Sequence, residues 1–353
     1  MSSYAVKTNY RPSARQQKVV LVFEFNIQSE ALIRALRQRG LKFFYLDYLE
    51  LMRRGTVQMN AGASELSSLR LGSAELLFRD VAAVVWKEPG RVMRNIDGKD
   101  VSRRLFQDRW SQVLRDLKGL LPEHTLWLPS HPLNGSQQWQ NKLSELVYAA
   151  RLGLRVPESI CTNDPAVVEV FIQRHRERVL FRDFVRQDFF FRTAFADGSA
   201  SSLRRLVNAP CGFQRYVEKE FDVRAVVVGD RVFACRIDSQ ASRAARTDWR
   251  VYDNARVKWE RMHLPREVER ALLRLMKKLD LVWGSADLVK GADGEYYFLE
   301  VNRPGATYWL LPFVGLDIPN EIARYVSKAI RSRPRRSARA LAERSNGENA
   351  TAL

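Results

Sequence analysis

Residues 287–305 read DLVKGADGEYYFLEVNRPG, and this stretch constrains the local fold more than any other part of the chain. Two apolar runs flank the dipeptide Asp293-Gly294, which is the strongest short-range signal of a β-hairpin because both residues accept positive φ angles. With a two-residue loop, Lys290 pairs with Tyr297. The sequence therefore predicts a hairpin of two long strands near the C-terminus.

The same register brings three polar side chains together at the far end of the hairpin. Asp287 is directly opposite Glu300, and Asn302 shares the face of Glu300 because strand side chains alternate with a period of two. Carboxylates paired across a hairpin repel each other, and a hard cation such as Mg²⁺ between them relieves that repulsion. On spacing alone, a metal site and a surface hairpin with a chance acidic pair are both open.

Charge indicates an acidic partner. The 353 residues are 46% apolar, enough for two or three domains with their own cores, and the net charge is +18. Four net positive charges at each end leave +10 on residues 19–330. A basic body attracts nucleic acid, a nucleotide or an acidic peptide, whereas the arginine-rich ends are typical of solvated tails.

Several classes of protein are not supported. Cys161, Cys211 and Cys235 are far apart and four histidines are scattered, so neither a disulfide framework nor a zinc site is indicated. The chain has no apolar run of about 18 residues and no signal-peptide core. We expect a soluble, cytoplasmic protein that does not contact a membrane.

Hydrophobic patterns divide the chain into an α/β part followed by two β-rich parts. Residues 18–47 predict strand, helix and strand, and residues 75–89 and 104–121 predict more strand and an amphipathic helix. A further helix is expected over 264–281 and a second hairpin around Gly229-Asp230. The predicted divisions are a flexible basic N-terminus (1–17), an N-terminal α/β domain (18–130), a central module (131–218), a C-terminal module (219–330) and a flexible Arg-rich tail (331–353).

Four ordered motifs carry a family resemblance. They are QNKLSELVYAARLGLRVPESICTND (140–164), FQRYVEKEFDVRAVVVGDRVFACRIDSQ (213–240), RTDWR (246–250) and the SADLV…YYFLEVNRPG hairpin. Over residues 130–328 the chain resembles the ATP-grasp ligases, and most closely the branch that matures ribosomal peptides, the microviridin-type or graspetide macrocycle synthetases. The resemblance implies an α/β (α+β) ATP-grasp fold, with an N-terminal pre-ATP-grasp domain and ATP bound between two β modules.

The resemblance also implies site residues. Asp287, Glu300 and Asn302 are expected to bind Mg²⁺, so that Glu300→Gln abolishes turnover while relief of the acidic repulsion leaves stability unchanged or raised. Lys142 is expected to reach ATP phosphates, with a surface helix lysine as the alternative. Arg224 and Arg250 are expected to face the phosphates and the acyl phosphate, because a guanidinium grips a phosphoryl group in two places; arginines extended from a strand surface are the alternative.

The remaining implied contacts concern the adenosine part of ATP. Gln214 and the backbone of Tyr216 and Val217 are expected at the adenine edge, with an ordinary β segment as the alternative. Lys219 and Asp222 are expected at the ribose or phosphates, but alternating charges at a strand edge are common.

Two departures from the family pattern leave a degenerate homologue without turnover as an alternative to an active enzyme. Arg182, in VLFRDF, stands where ATP-grasp enzymes usually carry a second phosphate-binding lysine, and Asp183 replaces the usual proline. Of the Trp-aromatic-Arg-Arg-Pro run of the peptide-maturing branch, only Trp86 and Pro89 keep their places.

The expected function is ATP- and Mg²⁺-dependent ligation. Asp or Glu side chains of an acidic precursor peptide, with leader and core, become acyl phosphates and are joined to Thr, Ser or Lys. One alternative is an amino-acid or glutamate ligase related to glutathione synthetases, and another is a non-catalytic nucleotide- or RNA-binding protein. For the favoured function we do not expect a nucleic-acid partner, and the sequence does not decide whether the chain forms a homo-oligomer.

Overall fold

The computed structural model describes residues 7–23, 28–86, 109–110, 112–113, 116–130, 142–176, 178–182, 194–196, 198–199, 209–249, 257–303, 305 and 307–332. Within these ranges the strands form four sheets, and helices cover their faces. The predicted mixed α/β class is confirmed.

The N-terminal sheet is parallel. Its strand order is β2 (Lys42–Leu46), β1 (Val19–Phe23), β6 (Val81–Trp86) and β7 (Leu126–Leu128). Every residue of β1 is buried, as expected for a parallel strand covered on both faces. Helix α1 (Gln28–Gln38) joins β1 to β2, which confirms the strand–helix–strand prediction for residues 18–47.

A small antiparallel sheet packs against this domain. After helix α2 (Tyr48–Arg54), strands β3 (Gly55–Gln58), β4 (Ser68–Leu71) and β5 (Ala74–Leu77) pair in chain order. Leu69 and Leu76 are almost fully buried and share an apolar core with β1 and β6. The predicted strand segment 75–89 is therefore two strands from different sheets, within the part of it that the structure describes.

Residues 7–17, predicted to belong to a flexible basic segment, lie against the N-terminal sheet. Thr8 forms a β-bridge with Phe44 and its hydroxyl donates to the Phe43 carbonyl at 2.7 Å. Tyr10 is buried and its hydroxyl donates to Asp80 Oδ2 at 2.7 Å. Burial of this aromatic ring and the buried hydrogen bond offset the entropy of ordering the segment.

The central sheet has strand order β10 (Ala194–Phe195), β9 (Val179–Arg182), β11 (Cys211–Arg215) and β8 (Ser159–Thr162). Its paired strands are antiparallel. Helix α4 (Pro165–Arg174) packs on it through Val168 and Phe171, and Asp164 caps the helix by accepting the Ala166 N–H at 2.9 Å.

The C-terminal sheet is the largest. Its strand order is β14 (Trp259–Met262), β13 (Arg231–Ile237), β12 (Lys219–Val228), β15 (Trp283–Gly291) and β16 (Tyr296–Asn302). Helices α3 (Lys142–Arg151) and α5 (Arg266–Lys278) pack on this sheet in a shared apolar core. Val228 pairs with Arg231, so the predicted hairpin around Gly229-Asp230 is confirmed.

The β15–β16 hairpin differs from the prediction near its turn. Gly291 N–H bonds to the Glu295 carbonyl and Lys290 pairs with Tyr296, so the loop has three residues and the predicted Lys290–Tyr297 pair is wrong. A β-bulge at Leu299 then inserts one extra residue and restores the predicted Asp287–Glu300 pair. The functional register is therefore right, although the turn that produces it is not the one predicted.

Helix α7 (Ile318–Ser332), the last described helix, packs against the N-terminal part of the chain. It follows the short helix α6 (Leu310–Val314) and packs against α1, and Lys18 Nζ donates to the Ile330 carbonyl at 2.6 Å. Among the described residues, no helix combines the length and apolar character needed to cross a membrane. Residues 331 and 332, predicted to begin the flexible tail, are the last two residues of α7, and residues 333–353 lie outside the described residues. The domain boundaries at 131 and 218 stay predictions.

Candidate functional site

A pocket lies where the central and C-terminal sheets meet. Strands β9 and β11 supply one wall, and β12, β15 and β16 supply the other. Predicted site residues line it, together with neighbouring polar and apolar groups: Pro157, Leu180, Arg182, Gln214, Arg215, Tyr216, Val217, Lys219, Asp222, Thr247, Asp248, Trp249, Asp287, Val289, Leu299 and Glu300.

The three predicted metal ligands are adjacent, and two of them, Asp287 and Glu300, line the pocket. Asp287 and Glu300 are both buried, and the Asn302 Nδ2 donates to Asp287 Oδ2 at 2.8 Å. Two carboxylates and one carboxamide on the same face of a hairpin supply the hard oxygen donors that Mg²⁺ prefers. Among the described residues, no group of three or more His, Cys, Asp and Glu side chains is placed to hold a metal ion. The predicted set instead consists of two carboxylates and the Asn302 carboxamide.

Side-chain cations already offset the repulsion between the paired carboxylates. Lys142 Nζ lies 2.5 Å from Glu300 Oε2, and Arg224 Nη1 lies 2.8 Å from Asp287 Oδ1. The repulsion between the carboxylates is therefore not by itself evidence for a metal ion, because the protein's own cations already offset it. The ligand chemistry and the position in the pocket still support Mg²⁺.

Lys142 is the first residue of α3, and its ammonium group contacts Glu300, which lines the pocket. The side chain is 21% exposed and contacts Glu300. The alternative of an ordinary surface lysine does not fit this burial. An ammonium group in this position can contact both a carboxylate and a phosphate oxygen.

Arg182 also lies in the pocket. Its side chain is 13% exposed, and its Nη2 is 3.7 Å from Glu300 Oε2. Arg182 is therefore not a surface arginine, and its neighbour Asp183 lies outside the described residues. The guanidinium lies beside a predicted metal ligand, and its role as a phosphate cation stays a prediction.

The predicted adenine-binding residues form the other end of the pocket. Gln214 is almost fully buried on β11, and its Nε2 donates to Ser159 Oγ at 3.0 Å. The Tyr216 N–H donates to the Arg178 carbonyl at 2.8 Å. The Tyr216 N–H is therefore already hydrogen-bonded within the protein and is not free to bind adenine. The predicted backbone contacts to adenine are then left to the Tyr216 carbonyl and the backbone of Val217.

Lys219 and Asp222 form a buried pair beside the pocket. Lys219 Nζ lies 2.7 Å from Asp222 Oδ2, and Ser239 Oγ donates to the same carboxylate at 2.5 Å. Burial raises the pKa of Asp222, against the opposing effect of Lys219. The pair is not the exposed alternation of charges at a strand edge that was the alternative.

Arg224 is held in place from two sides. Its guanidinium pairs with Asp287 and lies over the Trp249 ring, 5.9 Å from the ring centroid. On the opposite side is Gly305, where an added Cβ would overlap the Arg224 guanidinium. Glycine is needed there for this close approach. Arg250 lies outside the described residues, so its predicted role is not addressed by the structure.

Sequence reasoning missed several residues of the site. Glu145 and Arg303 form a buried pair behind the metal-ligand strand, and Ser239 completes the Asp222 network. The signal for Glu145 was available: it lies three residues after Lys142 and so shares its helix face, among the apolar residues of α3.

Two β-sheets that enclose one pocket, lined by hard oxygen ligands and cations, are the architecture of the ATP-grasp fold. The macrocyclase MdnC from Microcystis aeruginosa MRC, bound with the precursor peptide MdnA, superposes with a TM-score of 0.74 at 24% identity, covering 88% of this chain and 99% of that one. A RiPP-associated ATP-grasp ligase from Chryseobacterium gregarium, in complex with ADP and a leader and core peptide, gives 0.73 at 22% identity, covering 91% and 98%.

A third neighbour is the ATP-grasp ligase PsnB, complexed with a phosphomimetic variant of its minimal precursor, Mg and ADP. Its TM-score is 0.69 at 21% identity, covering 90% of this chain and 99% of that one. Comparison with protein-family models and with curated proteins finds no match. The predicted ATP-grasp fold is confirmed by these structural likenesses.

Proposed function

We propose that this protein is an ATP- and Mg²⁺-dependent ligase that activates Asp or Glu side chains of a precursor peptide and joins them to hydroxyl or amino groups of the same peptide. The observation that carries the proposal is the pairing of three cations, Lys142, Arg182 and Arg224, with Asp287 and Glu300, the two carboxylates that line the pocket. These groups come from α3, β9 and the C-terminal sheet, which lie far apart in sequence. Cations beside hard oxygen ligands can bind the phosphates of a nucleoside triphosphate together with its Mg²⁺ ion.

Asp287, Glu300 and Asn302 would hold Mg²⁺, which neutralises phosphate charge when bound. Lys142, Arg182 and Arg224 would bind the phosphates of ATP and stabilise charge that develops on the transferred phosphoryl group. The buried cavity wall formed by Leu180, Val217 and Val289 would surround the adenine ring.

The proposed reaction has two steps. A peptide carboxylate oxygen attacks the γ-phosphorus, the bond to the ADP oxygen breaks, and an acyl phosphate forms. A peptide hydroxyl or amine then attacks the acyl carbon, loses its proton, and phosphate leaves. Such chemistry relies on positioning and electrostatics and needs no side-chain nucleophile.

The precursor peptide is proposed as the substrate on two grounds. All three solved structures described above hold a precursor peptide or a variant of one, and the net charge of +18 attracts acidic peptides. Arg250 is retained as a proposed catalytic cation on the family resemblance alone.

The test is ADP release by the purified protein with Mg·ATP and an acidic peptide rich in Thr, Ser and Lys. We expect release that depends on the peptide, together with a peptide mass lower by one water for each bond formed. Release with free amino acids instead would support the amino-acid ligase. Nucleotide binding without any release would support the non-catalytic alternative.

A further inference from the structure

Glu145 is a charged residue on the buried face of α3. It is 2% exposed, and the next buried residues of the same helix, Leu146 and Ala149, belong to an apolar core. A methionine or leucine at this position would pack against that core without the desolvation of a carboxylate. The presence of a carboxylate here therefore points to a specific contact.

Both oxygens of Glu145 contact the strand that carries the metal ligands. Oε2 accepts the Val301 N–H at 3.2 Å, and Oε1 lies 3.2 Å from Arg303 Nη2. Val301 stands between the predicted ligands Glu300 and Asn302. Strand β16 is the last strand of its sheet, and Arg155 bridges its outer edge at Tyr297, where the Arg155 carbonyl accepts the Phe298 N–H. Further along this edge, at Val301, the Glu145 carboxylate is the acceptor.

The same helix carries Lys142 to the site. Lys142 and Glu145 are three residues apart, so they lie on the same helix face one turn apart. Because Glu145 is bonded to the backbone of β16, the distance from α3 to that strand is fixed at the turn next to Lys142. At this spacing the Lys142 side chain reaches Glu300, with Nζ 2.5 Å from Oε2.

Both partners of the buried pair are held at an electrostatic cost. Burial raises the pKa of Glu145, an effect that Arg303 partly opposes, and burial lowers the pKa of Arg303. Both shifts disfavour the charged form of the residue, because a charge is less well solvated inside the protein than in water. Sequence and packing alone would favour an apolar pair here.

We propose that Glu145 is a positioning residue, which holds the metal-ligand strand through the Val301 amide and Arg303 and so sets the distance between the phosphate cation Lys142 and the metal ligand Glu300. The inference rests on the proposed nucleotide site. It assigns to Glu145 no contact with substrate or metal. Removal of Glu145 should lower the affinity for ADP with Mg²⁺ more than the affinity for ADP without the metal.

The experiment measures binding, not ligation. Calorimetry gives the affinity for ADP with and without Mg²⁺, and electron paramagnetic resonance gives Mn²⁺ binding in the presence of ADP. Glu145→Ala removes both contacts. Leu272→Ala, a truncation of a buried residue on α5 in the same core, is the matched control for general destabilisation. Each variant is compared with wild type by thermal melting.

The expected result is a loss of about 10- to 100-fold in ADP affinity with Mg²⁺ for Glu145→Ala, as is typical when support behind a metal ligand is removed. Without Mg²⁺ the loss should be smaller, and Leu272→Ala should bind Mg·ADP like wild type despite a lower melting temperature. Glu145→Gln should leave Arg303 unpaired, and the double variant Glu145→Gln, Arg303→Met should recover most of the Mg·ADP affinity.

Two results would overturn the inference in different ways. If Glu145→Ala and Leu272→Ala lower the melting temperature equally and both bind Mg·ADP like wild type, Glu145 is a packing residue only and the nucleotide site stands. If wild type itself fails to bind Mg·ADP or Mn·ADP, the proposed function fails and the inference fails with it.

Discussion

The structure and the sequence predict different effects of Glu300→Gln on the stability of the protein. From the sequence, Glu300→Gln relieves a repulsion with Asp287, so stability should stay the same or rise. In the structure, Glu300 is 5% exposed and neutralises Lys142 at 2.5 Å, with Arg182 at 3.7 Å. Glutamine keeps an acceptor oxygen but removes the charge that both cations face. We therefore expect Glu300→Gln to be less stable than wild type.

The magnitude follows from burial. Removal of one partner of a fully buried ion pair costs about 3–5 kcal/mol. Lys142 is 21% exposed and can turn toward solvent, and the lost repulsion with Asp287 returns about 0.2–1 kcal/mol. The net loss in the free energy of unfolding should be about 1–3 kcal/mol. It should be smaller in Glu300→Gln, Lys142→Met than the sum of the two single losses, because the two side chains interact.

The assay is urea unfolding of the ligand-free protein, followed by tryptophan fluorescence. Glu295→Gln is the matched control, because Glu295 lies in the same hairpin but pairs with Arg155 at the surface, with 47% and 59% of the two side chains exposed. The control should change the free energy of unfolding by less than about 1 kcal/mol. A Glu300→Gln protein as stable as wild type, or more stable, would refute the role given to these cations.

Three further predictions concern the pocket, the acidic pH range and salt. Arg182→Ala should reduce turnover by about tenfold or more and raise the ATP requirement, whereas Arg182→Lys should keep much of the activity; steady-state kinetics at several ATP concentrations would show unchanged values for both if Arg182 has no phosphate role. Because burial raises the pKa of Glu145 above its ordinary value of 4.5, its proton favours the folded state in acid and this contribution is lost as pH rises through the raised pKa. Urea unfolding from acid to neutral pH should therefore show wild type losing stability relative to Glu145→Gln, and a constant difference would count against the raised pKa. Affinity for an acidic peptide should fall with added salt, by titration at several salt concentrations, and deletion of residues 333–353 should leave that dependence unchanged; affinity independent of salt would indicate apolar recognition instead.

The close packing of Gly305 against Arg224 gives a further test of the site. Gly305→Ala places a Cβ against the Arg224 guanidinium, which pairs with Asp287. Displacement of that guanidinium should lower ATP-dependent turnover by about tenfold or more without loss of the fold, as seen by circular dichroism. Normal kinetics for Gly305→Ala would show that Arg224 need not stay in this position.

Local patterns predicted several elements of the fold, including the hairpin that carries the predicted metal ligands. The alternation of residues and the Asp-Gly dipeptide located the β15–β16 hairpin, and the helical period located α5. The turn itself was mispredicted because Gly291 and Gly294 allow a three-residue loop, which sequence does not distinguish from a two-residue one. The bulge at Leu299 offsets the longer loop, so the predicted Asp287–Glu300 pair is right although the sequence did not predict the bulge.

Contacts between distant segments could not be predicted from the sequence. The pairing of Lys142 with Glu300 depends on how α3 packs against β16, and the pairing of Arg224 with Asp287 depends on the order of strands in the sheet. A single sequence gives neither. The burial of Tyr10 against Asp80 is of the same kind, which is why residues 7–17 were assigned to a flexible segment.

The central claim is that a peptide carboxylate is activated as an acyl phosphate. The most direct measurement uses a peptide whose Asp and Glu carboxyl groups carry a heavy oxygen isotope, with phosphorus NMR of the products after turnover with Mg·ATP. The proposed route predicts one labelled oxygen in each phosphate released with ADP, because the carboxylate oxygen that attacks the γ-phosphorus leaves with it. Unlabelled phosphate, or label in AMP with release of pyrophosphate, would contradict it.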